Sequence, residues 1–158
     1  MKKLALLLVL LTVGLSANAQ FTKKTKYISA SFTGLDLSYS SDEDWTFGFS
    51  ISGGYFFADS WMLYGDLGYD HTRHTDDVTV GAGTRYYIIQ NGLYLGVGLD
   101  YAHVTSNLNY IRICPQVGYA FFVNKNITIE PAVYYDISMN DFDDGSKVGL
   151  KIGLGFYF

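Results

Sequence analysis

The sequence predicts an all-β fold, an eight-stranded antiparallel up-and-down barrel whose strands cross a membrane, and three observations predict it. Apolar and polar residues alternate with period two through eight segments of roughly ten to thirteen residues, enough to cross hydrocarbon when tilted by about 45°. The residues opposite the apolar faces are glycine, tyrosine and isolated charges of both signs, not the lysine, glutamate and threonine that bulk water would select. Nothing after residue 20 approaches the ~20 apolar residues of a membrane-spanning helix. A soluble sandwich or small barrel with an apolar core is the competing arrangement, and the polar face argues against it.

Residues 1–19 read as a secretory signal peptide. Lys2 and Lys3 precede an apolar run from Leu4 to Leu15, and Ala17-Asn18-Ala19 has the small residues of a cleavage site. The run is too short to span a bilayer as a helix. Residues 20–26 then form a short periplasmic segment, and residues 27–158 form the barrel domain. Of 11 basic side chains Lys2 and Lys3 leave with the signal, so 9 stand against 15 acidic ones, a net charge near −6 that argues against nucleic acid as a partner. Cys114 is the single cysteine, so no internal disulfide forms.

The strands follow in order. "YISASFTGLDLSY" changes register: Ile28, Ala30 and Phe32 obey one alternation and Leu35, Leu37 and Tyr39 the other, which places a bulge near Thr33-Gly34. In "WTFGFSISGGYFF", Trp45, Phe47, Phe49, Ile51, Tyr55 and Phe57 share a face. After Ala58-Asp59-Ser60, "WMLYGDLGYDH" sets Trp61, Leu63, Leu67 and Tyr69 opposite Tyr64, Asp66, Gly68 and Asp70. "VTVGAGTRYYII" sets Val78, Val80, Ala82, Tyr86 and Ile88 against Gly81, Gly83, Arg85 and Tyr87. Gln90-Asn91-Gly92 is a tight turn into "LYLGVGLDYAH". "YIRICPQVGYAFF" and "ITIEPAVYYDIS" flank the turn Asn124-Lys125-Asn126. The eighth, "KVGLKIGLGFYF", points Val148, Leu150, Ile152, Leu154, Phe156 and Phe158 one way.

With both barrel termini at one end, the outward aromatic residues fall into two belts. Tyr55, Phe57, Trp61, Tyr119, Phe121, Phe156 and Phe158 gather at the short-turn end, and Trp45, Phe47, Tyr69, Tyr101 and Tyr135 at the other, as two membrane interfaces would select.

On these features, the signal, the eight alternating segments and the terminal "GFYF", residues 27 to 158 resemble the small eight-stranded outer-membrane β-barrels. That family includes OmpX-like porin-family proteins and the membrane domain of OmpA-like proteins. The resemblance implies residence in the Gram-negative outer membrane with both termini periplasmic. It implies contact with membrane lipids, including lipopolysaccharide, and a monomer. It also implies that Leu154, Phe156, Tyr157 and Phe158 form the signal read by the outer-membrane assembly machinery. No peptidoglycan-gripping domain follows the barrel, and the loops are shorter than those that form a protruding sheet in OmpX-like proteins.

A barrel of about eight strands is just wide enough to be filled by its own side chains. The inward positions place Asp66, Asp70, Asp100, Asp136, Arg112 and Lys151 toward the outer half and Arg85 and Glu130 nearer the middle. Phe56, Tyr87, Tyr94, Phe122 and Tyr157 crowd the periplasmic end as an aromatic plug. Charges so confined are expected to pair, because an unpaired buried one costs several kcal/mol. The function expected is a non-catalytic barrel with a plugged, charge-paired lumen, short acidic surface loops and a structural or surface-contact role. The alternatives are a lipid-modifying enzyme and a narrow ion path.

The enzyme alternative starts from Pro115 and Pro131, which lie on adjacent strands and cannot donate to a closed ladder. They mark a weak seam, similar to the lateral opening of PagP-type acyltransferases. Such an enzyme needs a dry apolar pocket where this chain carries charges. Asp59-Ser60 falls in a periplasmic turn, and His103 lacks the following serine of PagL-type deacylases. His71 and His74 in "DHTRHTDD" have a spacing that could hold a metal, with a solvated loop as the plainer account. No cofactor and no metal are expected. Ser40 to Asp44, Asp76-Asp77 and "NDFDDGS" at Asn140 to Ser146 form an acidic rim. The last departs from a calcium loop because Gly145 comes one place early and no glutamate closes it.

Overall fold

A computed structural model describes residues 21–35, 47–71, 76–88, 92–104, 108–139 and 147–158. Expectations that fall on residues 1–19, Leu37, Tyr39, Trp45, His74, Gln90-Asn91 and the acidic loops at 40–44 and 140–146 lie outside these residues.

The alternating segments become β1 (Lys26–Leu35), β2 (Phe47–Ala58), β3 (Trp61–His71), β4 (Asp76–Tyr87), β5 (Leu93–Val104), β6 (Leu108–Tyr119), β7 (Phe121–Phe122), β8 (Ile127–Ser138) and β9 (Lys147–Tyr157). Consecutive strands from β1 to β6 pair antiparallel, as do β8 and β9; β1 also pairs with β9, and β6 with β8. The sheet therefore closes on itself and has no free edge. β7 continues β6 beyond a break at Ala120 and pairs with β8 as β6 does, so the nine segments make eight crossings.

Burial decides which way the ribbons face. Leu95, Val97 and Ile152 are 48%, 46% and 53% exposed, whereas Arg85 and Glu130 are 3% exposed. A soluble barrel would reverse this. The chain instead turns its hydrocarbon outward and encloses tyrosines, serines and charges, which is stable only where the surroundings are lipid.

The register shifts between Thr33 and Leu35, where β1 carries an extra residue against β9, the bulge expected near Thr33-Gly34. The β6–β8 ladder is also interrupted. It runs from Arg112↔Ser138 to Ile113↔Ile137 and resumes at Gln116↔Tyr134, skipping Pro115, which has no N–H to give.

The two ends of the barrel differ. Lys26 and Phe158 exchange backbone hydrogen bonds of 2.7 and 3.0 Å, so the start of β1 and the end of β9 lie together. At that same end are the turn after β2, the turn at Asn124 to Asn126, and Gly92, whose φ of +97° suits a residue without a side chain. Around this rim Tyr55, Phe57, Trp61, Phe156 and Phe158 are exposed, and Trp61 packs against Tyr86 at 4.9 Å. Tyr69 and Tyr101 are exposed toward the opposite end.

Candidate functional site in the barrel lumen

Period two sends Ser29, Ser52, Tyr64, Arg85, Gln116, Glu130 and Tyr157 into the bore, because each has the inward parity of its strand. The lumen they line has two parts, an aromatic floor at the short-turn end and a polar chamber above it.

The floor is built around Phe21, a residue ahead of the first strand. Its ring is fully buried and stacks on Tyr87 with centroids 4.0 Å apart; Phe56, Phe122 and Tyr157 surround it at 6.0, 5.5 and 5.6 Å. The backbone holds it there. The Phe21 carbonyl accepts from the Ser60 N–H at 2.8 Å, Lys23 donates its N–H to Asp59 Oδ1 at 2.8 Å, and Lys24 donates its N–H to the Phe56 carbonyl at 2.8 Å. The segment thus turns inward across the barrel end and is pinned by the β2–β3 turn. Met62 and Tyr94 belong to the same buried cluster.

Just above the floor, Arg85 Nη1 lies 3.2 Å from Glu130 Oε2. The carboxylate is saturated: Tyr27 donates to Oε2 at 2.6 Å, and Tyr157 and Thr128 donate to Oε1 at 2.7 and 2.8 Å. Tyr87 and Tyr157 share a hydroxyl contact of 3.1 Å. The guanidinium also donates to the Tyr27 hydroxyl at 3.0 Å and lies over the rings of Tyr27, Tyr64 and Tyr94, 5.4, 4.9 and 4.7 Å from their centroids. An enclosed charge pair of this kind persists because donors meet the carboxylate and π-faces surround the cation.

Above it lies a cavity of about 90 Å³, room for several waters. Asp66, Asp70, Asp100, Asp136, Arg112 and Lys151 all line it, and Arg85 borders it. Arg112 Nη1 stands 3.9 Å from Asp136 Oδ2, and Lys151 Nζ lies 5.7 Å from the centre of the Tyr134 ring. Cys114 donates its S–H to Asp100 Oδ2 at 2.9 Å, and Gln116 Nε2 donates to the Tyr64 hydroxyl at 2.7 Å.

The eight charged residues that the alternation directs inward thus divide into two groups, Arg85 with Glu130 at the floor and six around the chamber. Of the plug residues, Phe56, Tyr87, Tyr94 and Tyr157 are buried together and Phe122 packs against them. Leu154, Phe156 and Phe158 point outward while Tyr157 points into the floor. His71 and His103 are exposed. Sequence reasoning missed Phe21, which lies in a stretch too short for any period to show. Tyr27, Cys114 and Gln116 were also missed, although the alternation of β1 and β6 directs all three inward.

Residues 5–158 match the outer membrane protein beta-barrel domain family. The chain belongs to that family. Its fold is also similar to solved barrels of low sequence identity. Neisserial surface protein A aligns with a TM-score of 0.61 at 18% identity, over 85% of this chain and 96% of its own. Ail of Yersinia pestis, in a phospholipid bilayer nanodisc, gives 0.60 at 16%, over 86% of this chain and all of its own. OprG of Pseudomonas aeruginosa gives 0.59 at 12%, over 89% and 99%. No curated protein sequence matches the chain. This is a small eight-stranded outer-membrane β-barrel, and its place is the outer membrane.

Proposed function

We propose that this barrel is a structural or surface-contact protein of the outer membrane, without catalytic activity, whose bore is closed at the short-turn end. The observation that carries this reading is the Phe21 ring, fully buried and stacked 4.0 Å from Tyr87 across the base of the lumen. Removal of residues 1–19 leaves Phe21 as the second residue of the mature chain, at liberty to fold back into the barrel. The short-turn end, with both barrel termini, faces the periplasm, and the opposite end lies among lipopolysaccharide. The barrel works as a monomer, and Leu154, Phe156, Tyr157 and Phe158 serve as the assembly signal.

Catalysis on lipids finds little support in the lumen. The upper chamber is lined by carboxylates, cations and hydroxyls where an acyl chain would need hydrocarbon. Two measurements test the reading. Purified protein in planar bilayers is expected to give no discrete conductance, and the lipid mass profile of cells is expected to be the same with and without it. Regular ion steps would make it a channel, and a shifted acyl pattern would make it an enzyme.

A further inference from the structure

Asp100 on β5, Cys114 on β6 and Asp136 on β8 come from three different strands, and their donor atoms lie within 4.8 Å of one another. Register explains the convergence. Asp100 sits opposite Arg112, two places from Cys114 on the same inward face, and β8 brings Asp136 to the far side of β6. In the structure the thiol proton lies between sulfur and the Asp100 carboxylate, where a positive charge would hold both.

A second observation points to a ligand. Gln116 is 5% exposed and lines the same cavity, and its Oε1 has no hydrogen-bond partner. Its amide leans on the Tyr64 hydroxyl. That hydroxyl and Asp100 Oδ1 lie 2.9 and 3.6 Å from where a Cβ of Gly98 would be, and Gly98 is the cross-strand partner of Cys114. The orphan oxygen therefore belongs to a residue that borders the same chamber as Asp100 and Cys114. A buried acceptor left unmade costs about 1–3 kcal/mol, so a donor, a water or a cation is called for there.

Charge gives the sign of that ligand. Among the described residues lining the chamber, four carboxylates face Arg112 and Lys151, the charge of Arg85 being met by Glu130. Among these described residues carboxylates outnumber cations by two, a balance that favours uptake of a cation in a confined space of low dielectric. Gly81 gives two of the carboxylates room. A Cβ there would strike the Asp100 carboxylate and come within 3.0 Å of Asp66 Oδ1, so both acids reach into the chamber over a bare backbone.

We propose that Asp100, Cys114 and Asp136 form a binding site for a thiophilic divalent cation of the zinc class, with Gln116 Oε1 as a further oxygen donor, directly or through water. One sulfur with carboxylate oxygens selects such ions over magnesium or calcium, which take oxygen alone. Binding forms a metal–sulfur bond and breaks the Cys114 S–H bond. The proton leaves to water, and no electron is transferred. The site neither requires nor excludes a closed bore, so it stands apart from the plugged-barrel reading.

The test is a cobalt(II) titration of the full chain, folded in detergent micelles and stripped with a chelator. The expected result is a near-ultraviolet sulfur-to-cobalt charge-transfer band that saturates at one equivalent and is abolished by zinc. The chain has one cysteine, so the band itself reports Cys114. Asp136→Asn and Asp100→Asn should each weaken cobalt binding roughly tenfold or more. Asp136→Glu, which keeps the charge, serves as the partner variant should Asp136→Asn alter folding, which heat-modifiable gel migration reports. Binding without a sulfur band would place the ion on the acidic loops and overturn the proposal. A sulfur band whose affinity is indifferent to both aspartates would overturn it equally.

Discussion

Arg85 on β4 and Glu130 on β8 meet at 3.2 Å inside the bore, and four donors from four residues converge on the Glu130 carboxylate. Removing one partner of such a pair leaves a buried charge without its counterpart. Glu130→Ala and Arg85→Ala should therefore each cost about 3–5 kcal/mol. The double variant should cost clearly less than the two together. Urea unfolding in lipid vesicles measures this. Losses that add within about 0.5 kcal/mol would mean the two residues do not act as a unit.

Phe21 contributes to stability although no strand contains it. Deleting a buried phenylalanine side chain leaves a cavity among Phe56, Tyr87, Phe122 and Tyr157, and Phe21→Ala should cost about 3 kcal/mol. The urea midpoint should fall with an unchanged slope. A midpoint equal to wild type would mean the ring is not seated in the floor.

Glycine positions split into two kinds. A Cβ at Gly118 would run into the Tyr94 ring, and one at Gly149 into Tyr134, while a Cβ at Gly53 meets nothing within 4 Å. Gly118→Ala and Gly149→Ala should destabilise by about 1–3 kcal/mol. Gly53→Ala should be neutral or stabilising by up to about 1 kcal/mol. The three variants in one unfolding series check this, and a reversed order would place the tyrosine rings elsewhere.

Val97 lies mid-strand on the outward face, opposite Pro115 and flanked by the exposed Leu95 and Leu99. Val97→Arg should cost about 2–4 kcal/mol in a bilayer, as a charge at the midplane does, and the same change near a rim much less. Depth dependence is the readout. A cost that did not vary along β5 would contradict a transmembrane β5.

Much of this architecture was legible because one rule, side chains alternating with period two, applies on every crossing. The bulge at Thr33 to Leu35 was legible for the same reason, since an extra residue must flip the faces of everything beyond it. Which inward residues touch is a different matter. Arg85 and Glu130 are 45 positions apart in the chain, and their meeting depends on strand tilt and stagger around the closed barrel, which no single strand encodes. Phe21 was illegible for a third reason. Its segment is held by backbone hydrogen bonds from Ser60 to Phe21 and between Phe56 and Lys24 and Thr25, contacts that leave no pattern in residues 21–25 themselves. Cys114 and Gln116 carried the inward parity and were passed over because a lone thiol and a lone amide gain meaning only from what faces them.

The architecture requires that the apolar face meet lipid while the polar face is enclosed. Spin labels attached singly at Ile152→Cys and Ser52→Cys, in a Cys114→Ser background and in lipid bilayers, test this most directly, since Ile152 is 53% exposed and Ser52 is 5% exposed. The Ile152 label should be relaxed strongly by oxygen dissolved in the membrane and weakly by a water-soluble nickel chelate, and the Ser52 label should be shielded from the membrane oxygen. An Ile152 label shielded from oxygen, with Ser52 the one in contact with lipid, would turn the barrel inside out.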